Sequence, residues 1–251
     1  MKKMDLFIGS YVRDFRYLKY CLRSVNKFAS GFNKLHLFVP EEDVVALYRD
    51  VDYCNIKRAN WVLHPSEAWP GKGMLHHLYQ VMNAEKLAPD ADFILHTDSD
   101  CVFTGPVTPA DFLVGDKPML LYASYDFIGS NVRIWQERTQ NALGWKPVNE
   151  FMRRHGIVHC PPVYAATRSA IEKNTRQPLA EYLRNGINEF PQSFCDFPVL
   201  GEIAWQQFRH LYHWINTETD PLPPYKIHQS WSHQDVTTED LALYSKLGLL
   251  D

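Results

Sequence analysis

The hydrophobic and polar positions of residues 1–100 alternate between two periods, which predicts strands separated by helices. Residues 4–9 form a short apolar run that ends at Gly9 and Ser10, and apolar residues then recur at helical spacing from Tyr17 to Phe28. The same pattern predicts further strands at 34–39, 56–63 and 92–97, and helices at 41–51 and 74–87. Strands that alternate with helices in this way form a largely parallel sheet with helices on both faces.

The pattern after residue 103 is weaker, although it still predicts regular elements. Extended segments are expected at 118–122, 158–167 and 226–228, and helices at 148–155, 180–184, 197–208 and 238–247. No repeat, low-complexity tract or linker divides the chain. We therefore expect a single α/β domain over residues 1–251, with a mixed and mainly parallel sheet.

Composition and charge exclude several classes of partner. The 26 Lys and Arg residues against 29 Asp and Glu give a net charge of −3, so we expect no nucleic-acid partner. The five cysteines form no C-x-x-C pair, which indicates reduced thiols and a cytoplasmic location. No apolar stretch is long enough for a transmembrane segment, and the run after Lys3 is too short for a secretory signal.

Two carboxylates interrupt an apolar run in FILHTDSDCVF, residues 93–103. Asp98 and Asp100 would lie beyond the end of a buried strand, on the same sheet edge as residues 9–13, where ligands of such sheets bind. Carboxylates are rarely buried unless they are paired or bind a metal, and their hard oxygens suit Mn²⁺ or Mg²⁺. A solvated turn is the alternative, because D-x-D is frequent by chance, but the apolar flanks favour a cation site.

These segments together resemble a known family. FIGSYVRDF, then PGKGMLHHLYQVMNAEKL, then DADFILHTDSDCVF resembles the GT-A fold glycosyltransferases, particularly small bacterial and viral members, over residues 1–110 and more loosely beyond. The resemblance implies a Rossmann-like GT-A domain with a nucleotide-sugar-binding half at 1–110 and an acceptor-binding half at 111–251. It also implies metal-dependent transfer of a hexose or similar sugar from a nucleotide-diphospho sugar to a glycan or other hydroxyl acceptor. A UDP-sugar is the favoured donor because it is the commonest in such families.

The resemblance also implies which residues bind the donor. Contacts to the nucleotide sugar would come from the loop after the first strand, the D-x-D motif and a lysine before the third helix: Gly9, Ser10, Tyr11, Arg13, Lys72, Asp98, Ser99 and Asp100. Lys72 is equally well read as an exposed loop lysine. The chain departs from these relatives at His76 and His77, where they tend to carry a glutamine pair.

The C-terminal part supplies candidates for the metal and the acceptor. A histidine after a late strand often completes the metal site in this family, and His228 fits that position better than His233; a hydrogen-bonded surface histidine is the alternative. Asp196 and Glu202, in FCDFPVLGEIAW, are the candidate catalytic carboxylates. Asp196 also suits the N-cap of the helix that follows, with Pro198 at the first helical position.

Two other functions are compatible with the motif. A haloacid-dehalogenase-like phosphohydrolase also carries D-x-D after an apolar strand, and Val102 matches the residue type usual there. The long α/β segment before the motif fits that class poorly. A non-catalytic nucleotide-sugar-binding protein would keep the metal site without using the acceptor carboxylate.

Overall fold

The computed structural model describes residues 2–67, 69, 71–129, 132–154, 156–187, 195–232 and 234–250. Its strands are β1 (Met4–Gly9), β2 (Leu35–Pro40), β3 (Trp61–Ser66), β4 (Phe93–Asp98), β5 (Cys101–Phe103), β6 (Leu113–Val114), β7 (Lys117–Ser124), β8 (Asn149–Glu150), β9 (Ile157–His159), β10 (His213–Asn216) and β11 (Ile227–Gln229). Its helices are α1 (Phe15–Phe28), α2 (Val44–Asp50), α3 (Tyr53–Ile56), α4 (Gly73–Val81), α5 (Ala84–Leu87), α6 (Tyr125–Ile128), α7 (Arg133–Leu143), α8 (Pro161–Thr175), α9 (Leu179–Arg184), α10 (Asp196–Gln207) and α11 (Thr238–Lys246).

A five-stranded sheet in the order β3-β2-β1-β4-β9 forms the centre of the molecule. The first four of these strands are parallel, and β9 pairs antiparallel with β4. Every residue of β1 and β2 is buried, so the sheet is covered on both faces, as parallel sheets generally are. The expectation of an α/β fold with a mixed, mainly parallel sheet flanked by helices is confirmed.

Two smaller sheets complete the fold. One has the order β10-β7-β6, with β8 also paired to β7, and the other joins β11 to β5 in antiparallel orientation. The second pairing sets His228 opposite Val102 and returns the C-terminal part of the chain to the segment that follows Asp100. Among the residues described, no helix combines the length and apolar character needed to cross a membrane.

One cluster of contacting buried side chains takes members from both parts of the chain. Ile8 and Leu37 come from the first part, and Val199 and Ile203 from α10 in the second. Burial of such side chains contributes roughly 1.5–3 kcal/mol each, so a shared core favours folding as one unit. The described residues therefore form a single α/β domain, whereas its division into a nucleotide-sugar-binding half and an acceptor-binding half stays a prediction.

The structure differs from four predicted elements. The helix expected at 74–87 is divided in two, because α4 ends at Val81 and α5 begins at Ala84. The strand expected at 56–63 begins only at Trp61, because Asp52 is left-handed (φ 59°) and starts the short helix α3. The helix expected at 148–155 is wrong for residues 149–150, which pair with β7 as β8, and His155 lies outside the described residues. The extended segment expected at 158–167 ends at His159, because Pro161 occupies the first helical position of α8, where proline is well tolerated.

Burial keeps several histidines neutral in the folded state. Burial lowers the pKa of His64 and His76 to about 4 and that of His159 to about 3. The pKa values of His77 and His96 are also lowered, and burial is again the largest cause. The unfolded chain binds protons at these five described histidines near pH 6.5, whereas the folded chain does not.

We therefore predict that the free energy of unfolding falls as the pH falls from about 6.5 to about 4. Three carboxyls act in the opposite direction: burial raises the pKa values of Asp14 and Asp196 to about 7 and also raises that of Glu150, but three carboxyls offset only part of five imidazoles. Urea denaturation between pH 7 and 4.5 measures this slope. His159→Phe removes one titrating group and should flatten it by up to about 1.4 kcal/mol per pH unit. A stability that is flat or rises on acidification would contradict the prediction.

Candidate functional site

The carboxyl ends of β1 and β4 meet at one edge of the sheet. Gly9, the last residue of β1, lies in register opposite Asp98, the last residue of β4. Ser99 and Asp100 form the turn after β4 and are both buried, and Asp98 is partly buried. The two segments that the sequence predicts to share a ligand therefore lie side by side.

Asp100 accepts hydrogen bonds that connect the C-terminal part of the chain to this turn. Its Oδ2 accepts a hydrogen bond from the backbone N–H of Ser232 at 2.7 Å, and its carbonyl oxygen accepts one from the N–H of Ser230 at 2.9 Å. Hydrogen bonds to a carboxylate are stronger than those between neutral groups. The D-x-D turn and the segment after β11 are thus one local structure.

Asp14 is a member of this site that the sequence reasoning missed. It ends the short turn of 3₁₀ helix at Val12–Asp14 and is only 8% exposed. Its pKa is raised to about 7, mainly by burial and further by the negative charges of Asp100 and Asp98. A signal for it exists in the sequence: Asp14 lies four residues before Leu18 and seven before Cys21, in phase with the buried face of α1.

Asp196 approaches the same edge from α10. It is 3% exposed, and its pKa is raised to about 7 by burial and by the charge of Asp98. Its Oδ2 is buried and has no hydrogen-bond partner among the described residues. The N-cap expected at Asp196 is wrong: Cys195 is the N-cap, Asp196 is the first helical residue, and Pro198, expected at the first helical position, is the third. A carboxyl half-protonated near neutral pH suits proton transfer.

Glu202 points away from this cluster. It lies six residues after Asp196, a rotation of about 240° around the helix. Its Oε1 accepts hydrogen bonds from Nε1 of Trp145 and from Nε2 of Gln206, each at 2.9 Å. These bonds give Glu202 a structural role in holding α10 to the segment after α7.

A pocket lies at the ends of β1, β2 and β3, on the sheet edge where Gly9 is in register with Asp98. Its empty space is about 230 Å³, including the part open to solvent. The lining residues come from the strand ends and from α4: Ser10, Tyr11, Phe38, Val39, Pro40, Ser66, Gly73, His76, His77 and Gln80. The hydroxyl of Ser10 is buried and has no partner among the described residues. Pockets at this edge of a parallel sheet are the usual place for nucleotides.

Close packing of α4 on β1 shapes the inner end of this pocket. A Cβ added at Gly9 would lie 2.0 Å from Nδ1 of His77, so the imidazole rests directly on the glycine backbone. The charge of Asp98 also acts on His77, opposing the effect of burial on its pKa. His77 therefore belongs both to the wall of the pocket and to the surroundings of Asp98.

The remaining predicted residues have other surroundings. Arg13 is exposed beside Asp14, and Lys72 donates from Nζ to the carbonyl oxygen of Gly186 at 2.7 Å. His228 is partly exposed, and its Nε2 is 3.1 Å from Oδ1 of Asp240. Roles in donor or metal binding for these residues stay predictions, and His233 lies outside the described residues.

The described residues contain no group of three or more His, Cys, Asp or Glu side chains that could hold a metal ion by themselves. Asp98 and Asp100 offer hard oxygens, the ligand type that Mg²⁺ and Mn²⁺ prefer. The donor chemistry fits such a cation, but water and a bound phosphate group would have to supply most of its coordination shell.

A larger and mainly apolar pocket lies elsewhere in the molecule. Its empty space is about 600 Å³ including the part open to solvent, and its walls include Phe112, Leu120 and Tyr225. None of the four carboxylates of the site lines either pocket, but the smaller one is lined by His77, which packs on Gly9 opposite Asp98. Size alone therefore does not identify the functional site here.

Comparison with known proteins adds no assignment: the chain matches no protein-family model and no curated protein.

We predict that Gly9→Ala destabilises the protein by about 1–3 kcal/mol, because the added methyl group collides with His77. Gly105→Ala is the matched control, since a Cβ there meets nothing within 4 Å and its φ is not left-handed. Urea denaturation of both variants measures the difference. Adding His77→Ala to Gly9→Ala should recover part of the loss, as a coupling energy in a double-mutant cycle. Equal effects at both glycines would contradict the contact.

Proposed function

We propose that the chain is a metal-dependent glycosyltransferase of GT-A type that uses a nucleotide-diphospho sugar. The observation that carries the proposal is the placement of Asp98 at the carboxyl edge of a parallel sheet, in register with Gly9, whose neighbour Ser10 lines a pocket at the same edge. The resemblance of FIGSYVRDF and FILHTDSDCVF to that family points to the same reaction. A UDP-sugar is the favoured donor, and a glycan or other hydroxyl compound the acceptor.

The pocket supports binding of a nucleoside by this edge. It combines apolar walls from Phe38, Val39 and Pro40 with the polar groups of Ser10 and Gln80. Such a mixture suits a flat base that needs apolar cover and a few oriented hydrogen bonds. Tyr11 approaches α4 close to Gly73 and borders the same space.

The charge distribution supports a cation beside the diphosphate. Asp14 and Asp196 have pKa values of about 7 in part because Asp98 and, for Asp14, also Asp100 are negatively charged. We propose that Asp98 and Asp100 hold Mn²⁺ or Mg²⁺ together with phosphate oxygens and water. When bound, the cation would neutralise the charge that develops on the leaving diphosphate.

Asp196 is the better placed of the two candidate catalytic carboxylates. It is buried beside the charge of Asp98, whereas Glu202 is held by Trp145 and Gln206. In an inverting transfer, the Asp196 carboxylate would take the proton of the acceptor hydroxyl as that oxygen attacks the sugar. In a retaining transfer it would instead face the anomeric carbon.

We predict that one nucleoside diphosphate raises the melting temperature in the presence of Mn²⁺ and much less in its absence. UDP, GDP and their sugar conjugates are the probes, and a shift of about 5 °C or more is expected at 100 times Kd. Asp98→Asn and Asp100→Asn should abolish the metal-dependent part, while Asp90→Asn, an exposed residue at the other end of β4, should not.

The alternatives give different results in the same experiments. Absence of any shift with all probes would overturn the proposed function. Hydrolysis of phosphomonoesters that depends on Asp98 would favour a phosphohydrolase. Nucleotide binding without turnover of any donor sugar would favour a binding protein.

We predict that Asp196→Asn lowers the rate of sugar transfer or donor hydrolysis by about 10²–10⁴ while changing nucleotide affinity little. The wild-type rate should rise with pH through about 7, because the base must be ionised and burial raises its pKa to about 7. Initial rates between pH 5.5 and 8.5 test this. A larger loss in Glu202→Gln than in Asp196→Asn would assign the role to Glu202 instead.

A further inference from the structure

His77 lies in the wall of the pocket at the end of β1. It lines the pocket together with Ser10 and Tyr11. Its ring lies against Gly9, and Gly9 is in register with Asp98 on the neighbouring strand. Because adjacent strands are about 4.8 Å apart, the Gly9 backbone that this ring covers lies about one strand spacing from Asp98.

A bound nucleoside diphosphate would have to pass this ring. If its base lies among Phe38, Val39 and Pro40 and its phosphates lie beside Asp98 and Asp100, the link between them crosses Gly9. Gly9 has no side chain to offer, and the buried hydroxyl of Ser10 lies on one side of the crossing. The imidazole of His77, which lies against Gly9, offers a ring N–H as a hydrogen-bond donor at this crossing.

The chemistry of a neutral imidazole suits this position. One ring nitrogen carries a hydrogen that can be donated to a phosphate oxygen. Burial lowers the pKa of His77 and so favours the neutral ring, while the negative charge of Asp98 on β4 acts on that pKa in the opposite direction. A hydrogen bond to a charged acceptor is worth more than one between neutral groups.

Resting on the function proposed above, we propose that His77 donates a hydrogen bond to the diphosphate of the bound nucleotide. It is a binding residue that lets the site distinguish a nucleoside diphosphate from the nucleoside alone. Helix α4 carries His76 and His77 where the glycosyltransferases it resembles tend to carry a glutamine pair. In this chain the phosphate contact from α4 would therefore come from an imidazole and not from an amide.

The test compares two replacements of nearly equal shape. His77→Gln keeps an N–H donor, whereas His77→Met has similar length and no donor. Calorimetric titration with UDP, UMP, uridine and inorganic pyrophosphate, each with Mn²⁺, gives the ratio of affinities; GDP, GMP and guanosine replace the uridine series if the melting screen selects GDP. His76→Met is the matched control, since His76 lines the same pocket one residue earlier.

In His77→Met, we expect the affinity for the nucleoside diphosphate to fall about ten-fold or more, and that for the nucleoside by less than about two-fold. His77→Gln should recover most of the loss, and His76→Met should change both ligands equally. Equal diphosphate-to-nucleoside ratios in wild type, Gln and Met variants would overturn the proposal and leave His77 as packing for Gly9.

Two results separate this inference from the proposed function. If no nucleotide or pyrophosphate binds the wild-type protein, the proposed function fails and the phosphate contact is rejected with it. If nucleotides bind normally to all variants, only the role of His77 is rejected. Should His77→Met fold poorly, ¹⁵N spectra of the wild-type histidines with Mg²⁺ decide: a His77 shift with UDP and none with uridine supports the contact, and identical spectra contradict it.

Discussion

The burial of several carboxyl groups at one edge of the central sheet is the constraint on which the rest of this structure depends. Asp98 ends a strand whose preceding residues are all buried, and Asp14 and Asp196 reach the same edge from other elements. Desolvation disfavours ionised carboxyls, and each additional charge disfavours the others, so two of the carboxyls have pKa values of about 7. At neutral pH Asp14 and Asp196 are therefore partly protonated. If a divalent cation binds Asp98 and Asp100 as proposed, it would favour ionisation of Asp14 and Asp196, so that cation binding would release protons.

The fold and part of the site were predictable from sequence because they depend on local patterns. The apolar runs of β1, β2 and β4 and the helical spacing of α1 are strong signals, and they place Gly9 and Asp98 on one edge. Asp14 is absent from the residues predicted for the site because it belongs to the turn before α1 and to no strand end, although its helical phase marks it as buried. The errors at β8 and α8 come from short segments in which partner strands or paired prolines, and not periodicity, decide the conformation.

No local sequence pattern predicts that the C-terminal segment returns to the turn at Asp100. Strands β11 and β5 pair although more than a hundred residues of sequence separate them. This pairing brings Ser230 and Ser232 to Asp100. Trp231 between them is left-handed (φ 55°), a conformation that costs a bulky residue about 1–2 kcal/mol. The two hydrogen bonds to Asp100 and a third from Gln234 to the carbonyl oxygen of Trp231 offset that strain. His228 meanwhile bonds Asp240, which caps α11.

The contact between Gly9 and His77 explains why a histidine suits a position where a glutamine would also offer a donor. An imidazole has two rotatable side-chain bonds and a glutamine has three, so ordering the histidine loses less conformational entropy. The glycine backbone beneath the ring and the pocket residues around it leave the imidazole little freedom. A donor that is fixed before the ligand arrives contributes more to affinity than one that must be ordered on binding. Close packing of α4 on β1 thus stabilises the fold and fixes the imidazole of His77 in the wall of the pocket.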